Sequence, residues 1–407
     1  MVARRRRSGP GTTAPAGWHA LMVVENIPLG ADHRLRKQVE TVLAHGGRVT
    51  VVSPRDDANR PYRDLPGLRL LEYAAAPALR GPLGHVVEYA WAGTVAAVLT
   101  GRVRLRDRVD VVQLCQPPDI YSPLARLLRR SGARVVVDQR DLMPELLVAR
   151  YPNAPARAVA GLHALERRTQ RAVDHTITVN EHLRRRLEDA GGAGRVTVVW
   201  NGPVLARVDA VEPSSELRGD AAEVVVWVGK MGVQDGVETV VEVADAIVRT
   251  HGREDVLFVL VGDGERLDDL RGMVRRRGLD RWVRFTGWVP EATVFEYLAS
   301  ADLGIDTSLQ EEVTPVKALE YMSFGLAFAA YDLAETRELA GDAALLATPG
   351  DVAGLAQLVA DLMDDGSRCA ALGRAGRRRV EERLSWERQE STYLAALWPS
   401  SLPTSGA

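Results

Sequence analysis

Apolar runs of a few residues recur along the chain, each followed by a short polar loop and then a stretch with helical spacing. The first run is residues 20–24; its loop, 25–32, holds Pro28 and Gly30; residues 33–45 read as a helix closed by Gly46 and Gly47. Further runs lie at 48–53, 109–114, 133–138, 175–179 and 196–199. Runs without polar alternation suit strands buried on both faces, and strands alternating with helices predict a doubly wound parallel sheet. Asn201-Gly202-Pro203 breaks the pattern, and residues 205–223, rich in Asp, Glu, Ser and Ala, read as a linker. A second series then begins, with strands at 224–228, 256–261, 283–285, 301–306 and 326–331 and a helix at 351–364. The predicted class is α/β, with two Rossmann-like domains built on parallel sheets. The expected division is a disordered arm at 1–17, an N-terminal domain at 18–203, a linker at 204–223, a C-terminal domain at 224–384, and a helix at 385–398 returning to the first domain.

The segment between the last two strands carries the most chemistry. It reads Glu312-Val313-Thr314-Pro315-Val316-Lys317-Ala318-Leu319-Glu320, closing at Gly325. Thr314 is expected to be the helix N-cap, with Pro315 in the first turn and Gly325 at the end. Such a helix opens at the carboxyl edge of a parallel sheet, where open α/β sheets bind ligands. A diphosphate at its mouth meets the backbone near Thr314 and the Lys317 ammonium, with a diol on either side facing Glu312 or Glu320. Glu320 lies inside an apolar run, where an unpaired carboxylate is costly.

Two other loops have the same strand-to-helix setting. Gly229-Lys230-Met231-Gly232-Val233-Gln234-Asp235-Gly236 offers backbone amides and the Lys230 cation to a phosphate. Gly262-Asp263-Gly264-Glu265 reads on its residues as a tight turn; its second reading, a nucleoside contact, is one that the family resemblance given below implies. Neither makes a dinucleotide fingerprint.

Charge is lopsided. Residues 1–203 hold 31 basic and 19 acidic side chains, a balance of +12; the remainder holds 21 and 35, a balance of −14. The basic half suggests an anionic partner, either a phosphorylated acceptor or an anionic membrane surface. Charge alone does not make a nucleic-acid binder, and neither zinc-finger spacing nor an aromatic–basic RNA signature is present, so no nucleic acid is expected. Only three lysines, Lys37, Lys230 and Lys317, stand among 49 arginines, and two of them fall in the candidate phosphate loops. Two cysteines make no disulfide framework and point to a reducing, cytoplasmic setting. The Arg4–Arg7 run lacks a following apolar stretch and does not read as a secretory signal. The charge-free stretch 89–99, with Trp91 and then Arg102, Arg104, Arg106 and Arg108, reads either as a buried domain helix or as a segment lying in a membrane interface. The eight histidines are scattered, with no His-x-x-x-His and no Asp-x-Asp after a strand, so no metal is expected.

The Glu312–Glu320 segment resembles the paired-glutamate motif of retaining, family-four (group 1) glycosyltransferases of the GT-B fold, and the resemblance extends over residues 20–398. It implies two Rossmann-like domains facing a cleft. It also implies an NDP-sugar donor, UDP or GDP, on the C-terminal domain and a glycan or lipid-linked acceptor on the N-terminal one. Glu312 then contacts the transferred sugar and Glu320 the ribose, while Lys317 and Lys230 balance the leaving diphosphate. Thr314, Pro315, Val316, Gly229, Gly232, Gly262, Gly264 and Val289 line the donor. The loop 25–34 resembles the family's first loop, which brings Gly30 close to phosphates and acceptor. Asp138-Gln139-Arg140-Asp141-Leu142-Met143-Pro144-Glu145 resembles a loop whose usual histidine is here Arg140; Arg140 and Asp141 are the candidate sugar-facing pair. Arg140 either grips an anion or pairs with Asp138 or Asp141. The family's usual lysine before Gly236 is Asp235, which repels a diphosphate. The implied function is retaining transfer of a hexose in cell-surface or exopolysaccharide synthesis, in the cytoplasm or peripheral on the inner face of the membrane. The alternatives are a sugar-nucleotide epimerase that hydrolyses its donor, and a non-catalytic sugar-binding partner.

Overall fold

The structure is a computed structural model that describes residues 17–25, 27–74, 82–151, 153–192, 194–310 and 314–398. The chain divides into two units, residues 1–200 with 390–407, and residues 201–389.

The first unit is built on seven strands: β1 His19–Val23, β2 Arg48–Pro54, β3 Leu68–Tyr73, β4 Val111–Gln116, β5 Arg134–Gln139, β6 His175–Thr178 and β7 Val196–Val198. They lie in the order β3-β2-β1-β4-β5-β6-β7, every pair parallel. β1 and β4 are wholly buried, their apolar residues joined by His19, Gln113 and Gln116. The sheet order reverses at β1 and β4, and their carboxyl ends carry Glu25 and the Gln116–Tyr121 turn. Residues 390–397, in the helix Trp386–Leu397, belong to this unit: the Tyr393 hydroxyl donates to Gln113 Oε1 at 2.7 Å, and Arg134 Nη2 donates to the Ala396 carbonyl at 2.9 Å.

The stretch 89–99 lies within the helix Pro82–Arg106. One face, Ala92, Ala96 and Val103, is buried, whereas Val87, Trp91, Val98 and Leu105 are exposed. Among the described residues no helix is long and apolar enough to cross a membrane.

The second unit holds β8 Glu223–Val228, β9 Val256–Val261, β10 Val283–Phe285, β11 Leu303–Asp306, β12 Ala327–Tyr331 and β13 Ala344–Ala347. They form an all-parallel sheet ordered β10-β9-β8-β11-β12-β13. The helix Val237–Arg249 buries Val237, Val240, Val241, Val243, Ala244, Ile247 and Val248, the three-and-four spacing of one helical face. Trp227 and Phe258 join it in the core. The expected linker folds onto this unit. It contains short helices at Leu205–Val208 and Ser215–Arg218, and Arg218 Nη1 bonds Asp302 Oδ1 and the Ser300 carbonyl at 3.0 Å each.

Candidate active site

At the carboxyl edge of the second sheet, the loops after β8 and β9 are stacked backbone on backbone. Gly262 has φ +136°, and a Cβ there would lie 1.9 Å from the Gly229 carbonyl oxygen. Only glycine fits both the dihedral and the approach. The loops are tied together by Met231 N–H to the Asp263 carbonyl, 2.9 Å, and Arg266 N–H to the Met231 carbonyl, 3.0 Å. Gly264 packs against the Met231 backbone, where a Cβ would lie 2.4 Å from the Met231 carbonyl oxygen. Gly262 also bridges to Gly287, next to an exposed Trp288 and a half-buried Val289.

The third loop leads into the helix Val316–Ser323. The expected N-cap at Thr314 is corrected by one residue: Pro315 stands at the cap, with φ −74° and ψ 80°, and makes no side-chain cap bond. Its ψ is not helical, so the helical turns start after it, and the Ala318 N–H closes the first of them on the Pro315 carbonyl at 3.0 Å. Thr314 is buried, and its carbonyl accepts Val316 N–H at 2.8 Å; Val316 is exposed. Tyr321 fixes the helix to the sheet. Its hydroxyl donates to the Ile305 carbonyl at 3.0 Å and accepts Val228 N–H at 3.3 Å. Glu320 is half-buried between the fully buried Leu319 and Tyr321. Glu312 lies outside the described residues.

Lys317 sits in the first turn and reaches toward the β8 loop. Its Nζ is 3.3 Å from Asp306 Oδ1 and 5.3 Å from the Trp227 ring centroid. A Cβ on Gly229 would lie 3.6 Å from Lys317 Cε. Asp306 is 2% exposed, and its Oδ2 has no hydrogen-bond partner among the described residues. Lys317 is thus held by a buried counter-ion that sequence reading missed. The available signal was an acid ending the buried run Leu303-Gly304-Ile305.

Asp235 is turned inward. Its Oδ2 accepts Gly232 N–H at 3.2 Å, and the same amide also bonds the Lys230 carbonyl at 3.0 Å. Burial pushes the Asp235 carboxyl above its ordinary pKa; Lys317 and the Gly232 amide oppose that, Asp306 adds to it, and Lys230 again opposes it. Lys230, Asp235, Asp306 and Lys317 therefore share one electrostatic neighbourhood, in which the Gly232 amide already holds an internal anion. Lys230 itself is exposed. The arrangement suits a ligand that brings negative charge to the two lysines.

In the first unit, Gly30 is required by its own turn: a Cβ there would lie 1.8 Å from the Ala58 carbonyl, and its N–H donates to Asn59 Oδ1 at 2.9 Å. Arg140 is consumed by carboxylates. Its Nη1 lies 2.6 Å from Asp32 Oδ2 and its Nε 3.1 Å from Asp138 Oδ2. Asp138 also accepts Arg34 Nε at 3.0 and 3.1 Å and Gln38 Nε2 at 3.0 Å. Burial raises the Asp138 pKa, but Arg34 and Arg140 outweigh it and hold the carboxyl below its ordinary value. Asp141 is pushed up by burial, opposed by Arg140. Among the described residues, no set of three or more His, Cys, Asp or Glu is placed to hold a metal ion.

Residues 222–365 match the family described as "Glycosyl transferases group 1", and residues 30–202 match "Glycosyl transferase 4-like domain". A 2-deoxystreptamine N-acetyl-D-glucosaminyltransferase of Streptomyces fradiae is 30% identical over 354 residues, covering 79% of this chain and 81% of the relative. The chain belongs to the group 1 glycosyltransferases. A 2-deoxystreptamine glucosyltransferase of Streptomyces kanamyceticus is 29% identical to this glycosyltransferase over 330 residues, 75% of this chain and 81% of its own. Sucrose-phosphate synthase from Thermosynechococcus elongatus superposes with a TM-score of 0.75 at 18% identity, over 92% of this chain and 97% of that one. The Anabaena protein HepE, solved in complex with UDP and glucose, gives 0.71 at 16% identity, over 92% and 98%. These likenesses establish the GT-B fold: two Rossmann-like domains, one on each parallel sheet.

Proposed function

We propose that this glycosyltransferase moves a hexose from an NDP-sugar, UDP-linked or GDP-linked, to a hydroxyl of its acceptor with retention of anomeric configuration. The observation that carries the reading is Lys317, held by Asp306 and Trp227 in the first turn of a helix facing the interleaved glycine loops. Lys317 and Lys230 stabilise charge building on the departing diphosphate. Glu320 takes the ribose diol, Glu312 takes the transferred sugar, and the leaving phosphate oxygen accepts the acceptor proton. The Gly262–Gly264 turn and Val289 flank the nucleoside. No metal is assigned a step.

Calorimetry tests this. Lys317→Ala is expected to weaken UDP and UDP-glucose alike, and Glu320→Ala to weaken the nucleoside contact, each by about 1–3 kcal/mol for a lost charged hydrogen bond. Glu312→Gln is expected to depress turnover and leave UDP affinity intact. Nucleotide affinity unchanged in both of the first two variants refutes the donor site. Release of UDP without any acceptor supports the hydrolytic epimerase instead, and absence of all NDP-sugar binding supports a non-catalytic partner.

The acceptor is a glycan, a lipid-linked saccharide or a smaller polyol. The two Streptomyces relatives, named for transfer to 2-deoxystreptamine, support the last of these. The exposed Val87, Trp91, Val98 and Leu105 on the arginine-bearing helix Pro82–Arg106 favour a lipid-linked acceptor reached at an anionic membrane surface. Co-sedimentation with anionic but not neutral liposomes, lost at high salt, is the expected result; indifference to lipid charge refutes it.

A further inference from the structure

We propose that Glu25 and Tyr121 form an ammonium-binding subsite in the first unit, which holds an amino group of the acceptor. The proposal rests on the transferase reading for the word acceptor, and on the first unit alone for the site. Glu25 follows β1 and Tyr121 follows β4, so both stand at the carboxyl edge where the sheet order reverses, the place where open α/β sheets take ligands. Glu25 is 6% exposed and Tyr121 2% exposed. Glu25 Oε2 and the Tyr121 hydroxyl are both buried, and neither has a hydrogen-bond partner among the described residues. Tyr73 links the two, sharing a core cluster with Tyr121 while its hydroxyl bonds the Glu25 carbonyl. Buried polar atoms of native proteins are ordinarily paired, so two orphans at one sheet edge point to a missing group.

What is missing is set by the chemistry of the orphans. A carboxylate oxygen only accepts, and a phenol both accepts and donates. An ammonium has three donors and no acceptor, and it adds the charge that Glu25 lacks. Burial pushes the Glu25 carboxyl up to about 8, with Glu88 adding like-charge repulsion, and Glu25 in turn raises the pKa of Tyr121. A cation beside Glu25 lowers that pKa and draws the carboxyl into its ionised, acceptor-only form, which a neutral hydroxyl does not. Tyr73 holds the loop in place, its hydroxyl donating to the Glu25 carbonyl at 3.2 Å. The nearby arginines do not answer the need, since Arg34 and Arg140 are bound to Asp138 and Asp32.

The test compares an aminocyclitol with the same cyclitol lacking amino groups, as acceptors for the full chain supplied with UDP-glucose. The wild type is expected to prefer the amine, and Glu25→Gln to raise its KM by about tenfold or more while the KM of the neutral cyclitol and the affinity for UDP stay put. Tyr121→Phe is expected to act in the same direction and more weakly. An amine-to-neutral ratio of kcat/KM that is unchanged in Glu25→Gln overturns the subsite and leaves the donor site standing. If no UDP-glucose is turned over, calorimetry of the aminocyclitol alone decides: binding lost in Glu25→Gln upholds the subsite although the transferase reading has failed, and equal or absent binding overturns it.

Discussion

Replacing Gly262 by alanine isolates the interlock between the loops after β8 and β9. The new methyl would lie 1.9 Å from the Gly229 carbonyl oxygen, 1.1 Å inside the 3.0 Å that real Cβ atoms keep. Backbone stands on both sides of the contact, so no side chain can swing away. Two costs combine: about 1–3 kcal/mol for a non-glycine residue held in a sparsely populated dihedral region, and about 1–3 kcal/mol for overpacking. A loss of roughly 2–6 kcal/mol follows. The built-in control is Gly287→Ala. Gly287 bridges to Gly262 and also has positive φ, +69°, but nothing lies within 4 Å of its added Cβ. It is expected to lose only about 1–2 kcal/mol of backbone strain. Urea melts followed by circular dichroism give the comparison, and the thermal counterpart is about 2–4 °C per kcal/mol for a domain of this size. Gly262→Ala is also expected to bind UDP more weakly at temperatures where it remains folded. Equal midpoints for the two variants would show that the close approach costs nothing and refute the reasoning.

Asp235→Asn removes the anion nearest Gly232 and within the field of Lys317 and Lys230, so UDP is expected to bind about threefold to tenfold more tightly, about 0.6–1.4 kcal/mol; weaker binding by calorimetry would mean that Asp235 supports the ligand. Asp119 and Glu166 are buried, and desolvation first, then mutual repulsion for Asp119 and the opposing pull of Arg186 for Glu166, leaves each at about 7. Their folded pKa values exceed the unfolded ones, so their contribution is present near pH 4 and is lost as pH rises through about 7. Stability from urea melts is therefore expected to fall between pH 5 and pH 8, and Asp119→Asn to flatten that slope; a slope unchanged by the substitution refutes the assignment. Arg140→Ala takes from Asp32 its guanidinium and leaves Asp138 to Arg34 and Gln38, and is expected to cost about 3–5 kcal/mol in the first unit, as for a broken buried pair. A thermal midpoint within a degree of wild type would show that water replaces the guanidinium.

Most strands were legible because a strand buried on both faces writes itself as an unbroken apolar run, as in Val256-Leu257-Phe258-Val259-Leu260-Val261. β3 was not, since this edge strand carries Arg69 and Glu72 among its leucines, and β13 was too short and alanine-rich to stand out. The helix bearing Lys317 was placed to within one residue; the miss came from ψ at Pro315, which residue type does not fix. The partners of the site's charges were hidden for a different reason. Arg34 reaches Asp138 from 104 residues away, and Glu25 and Tyr121 share one sheet edge only because the sheet sets β1 beside β4. Such pairs arise from topology, which local patterns do not encode.

The Tyr321 hydroxyl has a consequence for how this site can change. By accepting from Val228 and donating to Ile305, it anchors one helix to the ends of two neighbouring strands, β8 and β11. A rotation of that helix would strip two main-chain groups of their partner at once. The space its ring occupies is reserved by Gly304, where a Cβ would lie 2.5 Å from Tyr321 Cδ2. Helix, strands and glycine therefore form a fixed chassis. Under the proposed donor site, divergence toward a new sugar or base falls to what is mounted on it, the exposed Lys230, Trp288 and Val316 in the surrounding loops and helix mouth.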